Sequence, residues 1–180
     1  IEGGHSKDED ERLTTRKFWD SIQAHRVGRA SAPNTFHQQV HRFQAGMWYH
    51  YIQLDISAAL EAAINVQTLF TLSRQMIFKD PDLYLRSMYY VAMLAYLRQD
   101  ERTVARNVQR LDEFLGDEKI HLNENSRSIG KIYSNLSTFN LYFLQRDKER
   151  AYEHGRKLIS DYTEETFRPN NHRWGLFLYK

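Results

Sequence analysis

The sequence predicts an all-α protein: a right-handed solenoid of antiparallel helix pairs, with about three repeats plus flanking helices. Three observations carry this. One short pattern recurs as YIQLDISAA (Tyr51 to Ala59), YLRQDERTV (Tyr96 to Val104) and FLQRDKERA (Phe143 to Ala151). Apolar residues on both sides of each copy follow the 3.6-residue period of a packed helix. Only three prolines and eight glycines occur in 180 residues, too few for the many turns of an all-β fold.

Taken in order, residues 1–30 form a tail and a flanking helix. Ser6-Lys7-Asp8-Glu9 has the spacing of a capping box, ahead of Leu13, Phe18, Trp19 and Ile22. Residues 31–180 form the repeat domain, with units at about 33–77, 80–116 and 122–162 and a partial one at 167–180. Ser31-Ala32-Pro33 is the expected opening of the first unit, Asp80-Pro81 of the second and Asn123 of the third. Asp55, Asp100 and Asp147 serve as a common zero, 45 and 47 residues apart. At +4, +8, +11 and +15 stand Ala59, Ala63, Val66 and Phe70, then Val104, Val108, Leu111 and Leu115, then Ala151, Gly155, Leu158 and Tyr162. Small residues early on this stripe let a neighbouring helix approach closely. At −15, −11, −8 and −4 stand Val40, Gln44, Met47 and Tyr51, then Leu85, Tyr89, Ala92 and Tyr96, then Ile132, Leu136, Phe139 and Phe143. Eleven of those twelve are apolar or aromatic, so each unit is a helix, a tight turn and a second helix. The aspartate is the N-cap of that second helix: its carboxylate accepts from backbone N–H groups that have no intrahelical partner.

At the turn the chain resembles the tetratricopeptide-repeat superfamily, over roughly residues 33 to 162. That family closes its first helix with tyrosine, begins the turn with Asp or Asn, and places a small residue four positions later. Tyr51/Asp55/Ala59, Tyr96/Asp100/Val104 and Phe143/Asp147/Ala151 match that arrangement. The family's glycine before the turn aspartate is replaced by Leu54, Gln99 and Arg146, its terminal proline has one counterpart in Pro81, and the period exceeds the family's roughly 34 residues. A HEAT-like solenoid is the competing description.

The last stretch, RPNNHRWGLFLYK (Arg168 to Lys180), has the character of another first helix, with Trp174, Leu176, Phe177 and Tyr179. Solenoids end in polar caps because each unit leaves an apolar face for the next. So apolar an end is expected of an array that continues, or of a helix folding back over the last repeat. Self-association through it is the third possibility. A first residue of Ile1 is expected of a processed or excised piece.

Composition narrows the function classes. The absence of cysteine removes disulfide frameworks, Cys-based zinc sites and thiol nucleophiles. It also fits a reducing compartment, and the expected location is the cytoplasm. A net charge of +2, from 25 basic and 23 acidic side chains, gives no basic footprint for nucleic acid. No stretch reaches the roughly 20 apolar residues of a membrane span.

Few motifs point to chemistry. His37 and His41 are four apart, as in helical zinc sites, but Gln38 stands where the general-base glutamate of that motif belongs. No metal and no cofactor are expected. Paired carboxylates such as Asp112/Glu113 sit among basic residues, as on a solvated face, and no phosphate loop or nucleophile elbow occurs. The chain is not expected to be an enzyme. Eleven tyrosines and three tryptophans are instead the amphipathic types enriched at recognition surfaces. In the resembled family the first helices line a concave groove. At −14, −10 and −7 they carry His41, Ala45 and Trp48, then Arg86, Tyr90 and Met93, then Tyr133, Ser137 and Asn140. The expected binding residues are His41, Trp48, Arg86, Tyr90, Tyr133 and Asn140, although packing explains Trp48 and Met93 equally well. The expected role is a non-enzymatic scaffold holding a protein or peptide segment in that groove. One alternative is a peptide-sensing domain controlling another part of a longer chain; a remote one is a hydrolase using His37 and His41.

Overall fold

The computed structural model describes residues 35–161. The anticipated N-terminal helix, the opening at Ser31–Pro33, Tyr162 and the partial unit at 167–180 lie outside them. Every regular element in this range is a helix: α1 (Phe36–Ile52), α2 (Ile56–Leu72), α3 (Gln75–Lys79), α4 (Pro81–Leu97), α5 (Glu101–Gly116), α6 (Glu124–Leu144) and α7 (Lys148–Asp161). No strand occurs among the described residues, and no helix there is long and apolar enough to cross a membrane.

Capping side chains fix where the helices begin. Thr35 opens α1 with a capping box: its Oγ1 accepts from the Gln38 N–H, and Gln38 Oε1 accepts from the Thr35 N–H. Asp80 accepts from the Leu83 N–H ahead of α4, with Pro81 at the first helical position, and Asn123 accepts from the Ser126 N–H ahead of α6. The repeated aspartates cap the second helices as the pattern implied. Asp55 accepts from Ala58, Asp100 from Thr103 and Asp147 from Arg150, each at 3.0–3.1 Å.

The residue before each aspartate carries the turn. Leu54, Gln99 and Arg146 have φ of 61°, 57° and 56°, the left-handed region that side chains other than glycine's resist. Two backbone bonds hold each one there. The Leu54 N–H donates to Tyr51 and the Asp55 N–H to His50; Gln99 and Asp100 donate to Tyr96 and Ala95; Arg146 and Asp147 donate to Phe143 and Tyr142. This is one Schellman closure used three times. Its last residue is also the next helix's cap, so a single aspartate ends one helix and starts another.

Packing follows the stripes. α1 lies against α2, α4 against α5 and α6 against α7, while α2 also meets α4, α5 meets α6, and α4 meets α6. Three apolar clusters run through these contacts, and each takes residues from more than one helix pair. Val40, Val66 and Phe70 join Leu83 and Tyr84; Met47, Ala59 and Ala63 join Val91, Leu94 and Val104; Leu85 and Tyr89 join Leu111, Ile132 and Leu158. The helices come close at Gly130 of α6, where a Cβ would stand 2.6 Å from Leu115 Cδ2 and 3.2 Å from Leu85.

The link between the first two units holds a short helix, α3. One expectation is revised. Phe143, placed on the packed stripe, is 61% exposed, because no described helix follows α7 to cover that side.

The cap yields a pH-resolved prediction. Thr103, through its side chain first and its backbone N–H second, holds the Asp100 carboxyl below its ordinary value. A lowered folded pKa contributes stability that is complete above the unfolded value of about 3.9 and is lost as pH falls through the folded one. Asp100→Ala should cost about 0.5–2 kcal/mol at pH 7, and urea melts at pH 3 should show a smaller deficit. Equal deficits at both pH values would separate the effect from the carboxylate.

Candidate functional site

The anticipated binding residues sit on α1, α4 and α6, and the structure divides them. His41 is exposed, Trp48 is 39% exposed, and Arg86 and Tyr90 are half-buried. On α6, Tyr133 is 3% and Asn140 1% exposed, so neither presents a surface, and Ser137 between them is fully buried. The groove does not extend onto α6 as the periodic pattern suggested. The reason is close packing: Tyr133 stacks on Tyr89 of α4, ring centroids 4.4 Å apart and nearly parallel.

That stack belongs to an aromatic series crossing three helices. Trp48 of α1 meets Tyr90 of α4 edge-on at 5.4 Å, Tyr90 lies 5.9 Å from Tyr89, and Tyr89 stacks on Tyr133. Trp48 also meets Tyr51 at 5.7 Å. The accessible end is Trp48; the buried end is Tyr133. A rigid series of rings therefore connects an open aromatic edge on α1 to the core beneath α6.

Polar atoms on these same helices lack partners. Gln44 Nε2, Asp82 Oδ1, Arg86 Nε and Ser137 Oγ are buried without a hydrogen bond. Gln44 lies on α1, Asp82 and Arg86 on α4, and Ser137 on α6; the second helices α2, α5 and α7 contribute no such atom among the described residues. On α4, positions 82, 86 and 90 recur at four residues and share an arc, while Gln44 stands on the packed stripe of α1 with Val40 and Met47. An unmet buried polar group costs about 1–3 kcal/mol. This confinement to one set of helices could not be read from the sequence, because Gln44 and Ser137 give no signal until their surroundings are known.

Elsewhere the buried polar groups are paired. Gln67 of α2 donates from Nε2 to Asn107 Oδ1 at 2.7 Å and accepts at Oε1 from Arg110 at 2.9 Å. Arg110 donates in addition to the Tyr84 hydroxyl, and Asn107 to the Thr103 carbonyl. The network ties α2, α4 and α5 together. His37 stands exposed with Nδ1 4.0 Å from Asp80 Oδ2, and no group of three metal-ligating side chains occurs among the described residues.

A separate apolar groove of about 500 Å³ lies on α6 and α7, walled by Phe139, Phe143, Tyr152 and Ile159. Arg146, Lys148 and Arg156 border it. Compared with known proteins, the chain matches no family model, no curated protein and no solved structure.

The Gln67 network is a structural tie, and its removal should show that. Gln67→Leu strands Asn107 and Arg110 and should cost about 1–3 kcal/mol in urea unfolding. Gln67→Leu with Asn107→Leu should recover part of the loss, since both ends of one bond are then apolar. A double variant with the two single losses simply added would show that the two side chains do not interact.

Proposed function

We propose that this chain is a non-enzymatic protein-interaction scaffold, a tetratricopeptide-like right-handed solenoid that holds a peptide segment against the face shared by α1 and α4. The observation that carries the reading is the accessible edge of the aromatic series, where Trp48, 39% exposed and on the arc of α1 that also holds exposed His41, meets half-buried Tyr90 of α4. Aromatic edges of this kind supply contact area to a bound segment. Arg86, half-buried on the same arc of α4 as Tyr90, offers a guanidinium to a peptide carboxylate. The solenoid reading is supported by the left-handed residues at 54, 99 and 146, the positions where the resembled family carries glycine. The order of helix contacts, in which each second helix meets the first helix of the next unit, supports it as well.

The test separates binding from packing. Arg86→Met removes a buried group that has no bond to lose, so stability should hold within about 1 kcal/mol or rise. Combined with Trp48→Ala, it should abolish capture of the peptide partner identified by crosslinking through this face. A folded double variant that captures that partner normally would overturn the proposed face. Marked destabilisation by Arg86→Met alone would show that Arg86 serves the fold.

A further inference from the structure

The groove on α6 and α7 shares no residue with the α1–α4 face. We propose that it binds an acidic amphipathic helix of a partner protein, whose apolar side chains fill the groove while its flanking carboxylates meet Arg146, Lys148 and Arg156.

The first support is shape and polarity. Phe139 and Phe143 of α6 face Tyr152 and Ile159 of α7 across a cleft of about 500 Å³. Phe143, Tyr152 and Ile159 are 61%, 67% and 71% exposed. Three large side chains so open within one cleft form the kind of patch that marks an interaction site. The lining of α7 runs from Lys148 to Ile159, about 16 Å of helix at roughly 1.5 Å per residue. That length accepts a guest helix with apolar anchors at i, i+3 or i+4, and i+7.

The second support is charge, and it selects the occupant. Four charged residues line the cleft: Arg146, Asp147, Lys148 and Arg156. Asp147 is already engaged. Its Oδ1 accepts from the Arg150 N–H at 3.0 Å and its Oδ2 from Arg150 Nε at 2.6 Å. Among the described residues no carboxylate forms an ion pair with Arg146, Lys148 or Arg156. Glu149 and Glu153 of α7 fall outside the lining, and α6 carries no carboxylate after Glu124. The rim therefore presents three cations without a counter-charge of its own. Carboxylates flanking an apolar stripe supply that counter-charge. A second copy docked by the same face would instead set like charges opposite one another. Concavity also suits the ridge of a helix, whereas a lipid surface is met by an apolar face that projects.

Peptide display tests both features on the full chain. The library holds helical peptides of about four turns, with a fixed apolar stripe and Glu, Gln or Lys at each flanking position. Selection should enrich Glu, and the winning peptide, fluorescently labelled, should bind the chain in an anisotropy titration. Tyr152→Ser with Ile159→Ser, both at exposed positions, should weaken that binding about tenfold with the helical spectrum unchanged. Lys148→Glu with Arg156→Glu should weaken it about as much and turn selection towards Lys-flanked peptides, a reversal that loss of structure does not produce. No enrichment, enrichment of Gln or Lys by the unaltered chain, or equal binding by the groove variants would overturn the proposal. A dimer that Tyr152→Ser converts to monomer would overturn it in favour of a second copy. Binding to phosphatidylserine vesicles that Ile159→Ser abolishes would overturn it in favour of a membrane.

Discussion

A left-handed residue followed by a capping aspartate is the constraint on which the rest of this structure depends. Leu54, Gln99 and Arg146 each adopt a conformation that costs an L-residue about 1–2 kcal/mol. The cost is offset locally: two backbone bonds satisfy the last carbonyls of one helix, and the aspartate satisfies an orphan N–H of the next. The same backbone closure recurs at all three turns, and four residues after each aspartate the next helix buries Ala59, Val104 or Ala151.

Much of this was legible in the sequence for a simple reason. Capping and amphipathic periodicity are local rules, so Asp55, Asp100 and Asp147 could be assigned from spacing alone, as could the burial of Ala59, Val66, Leu85 and Leu111. The left-handed residues were harder, since Leu, Gln and Arg carry none of glycine's signal. Tertiary burial was harder still. Tyr133 and Asn140 occupy positions that would be open on an isolated repeat, and only the approach of α4 to α6 shuts them. Gln67, Asn107 and Arg110 look like polar surface residues until three helices bring them together. In each case contacts between units decided the outcome, and a periodic pattern within one unit does not encode them.

The two sets of helices differ in what they carry. Second helices bury small residues early and large ones late, and their polar groups are paired. First helices carry the aromatic series from Trp48 to Tyr133, and beside it polar atoms that the fold leaves unmet.

The backbone holds the same turn conformation at Leu54, Gln99 and Arg146 despite unfavourable side chains. The most direct measurement of this is the urea unfolding of a variant carrying Leu54→Gly, Gln99→Gly and Arg146→Gly. Glycine relieves the left-handed strain at each site and gives back part of the gain through its greater freedom in the unfolded chain. A net gain of about 1–3 kcal/mol across the three sites is expected, with an unchanged helical spectrum. A loss of comparable size would contradict it, because glycine would then be removing contacts made by Leu54, Gln99 and Arg146 rather than relieving their backbone.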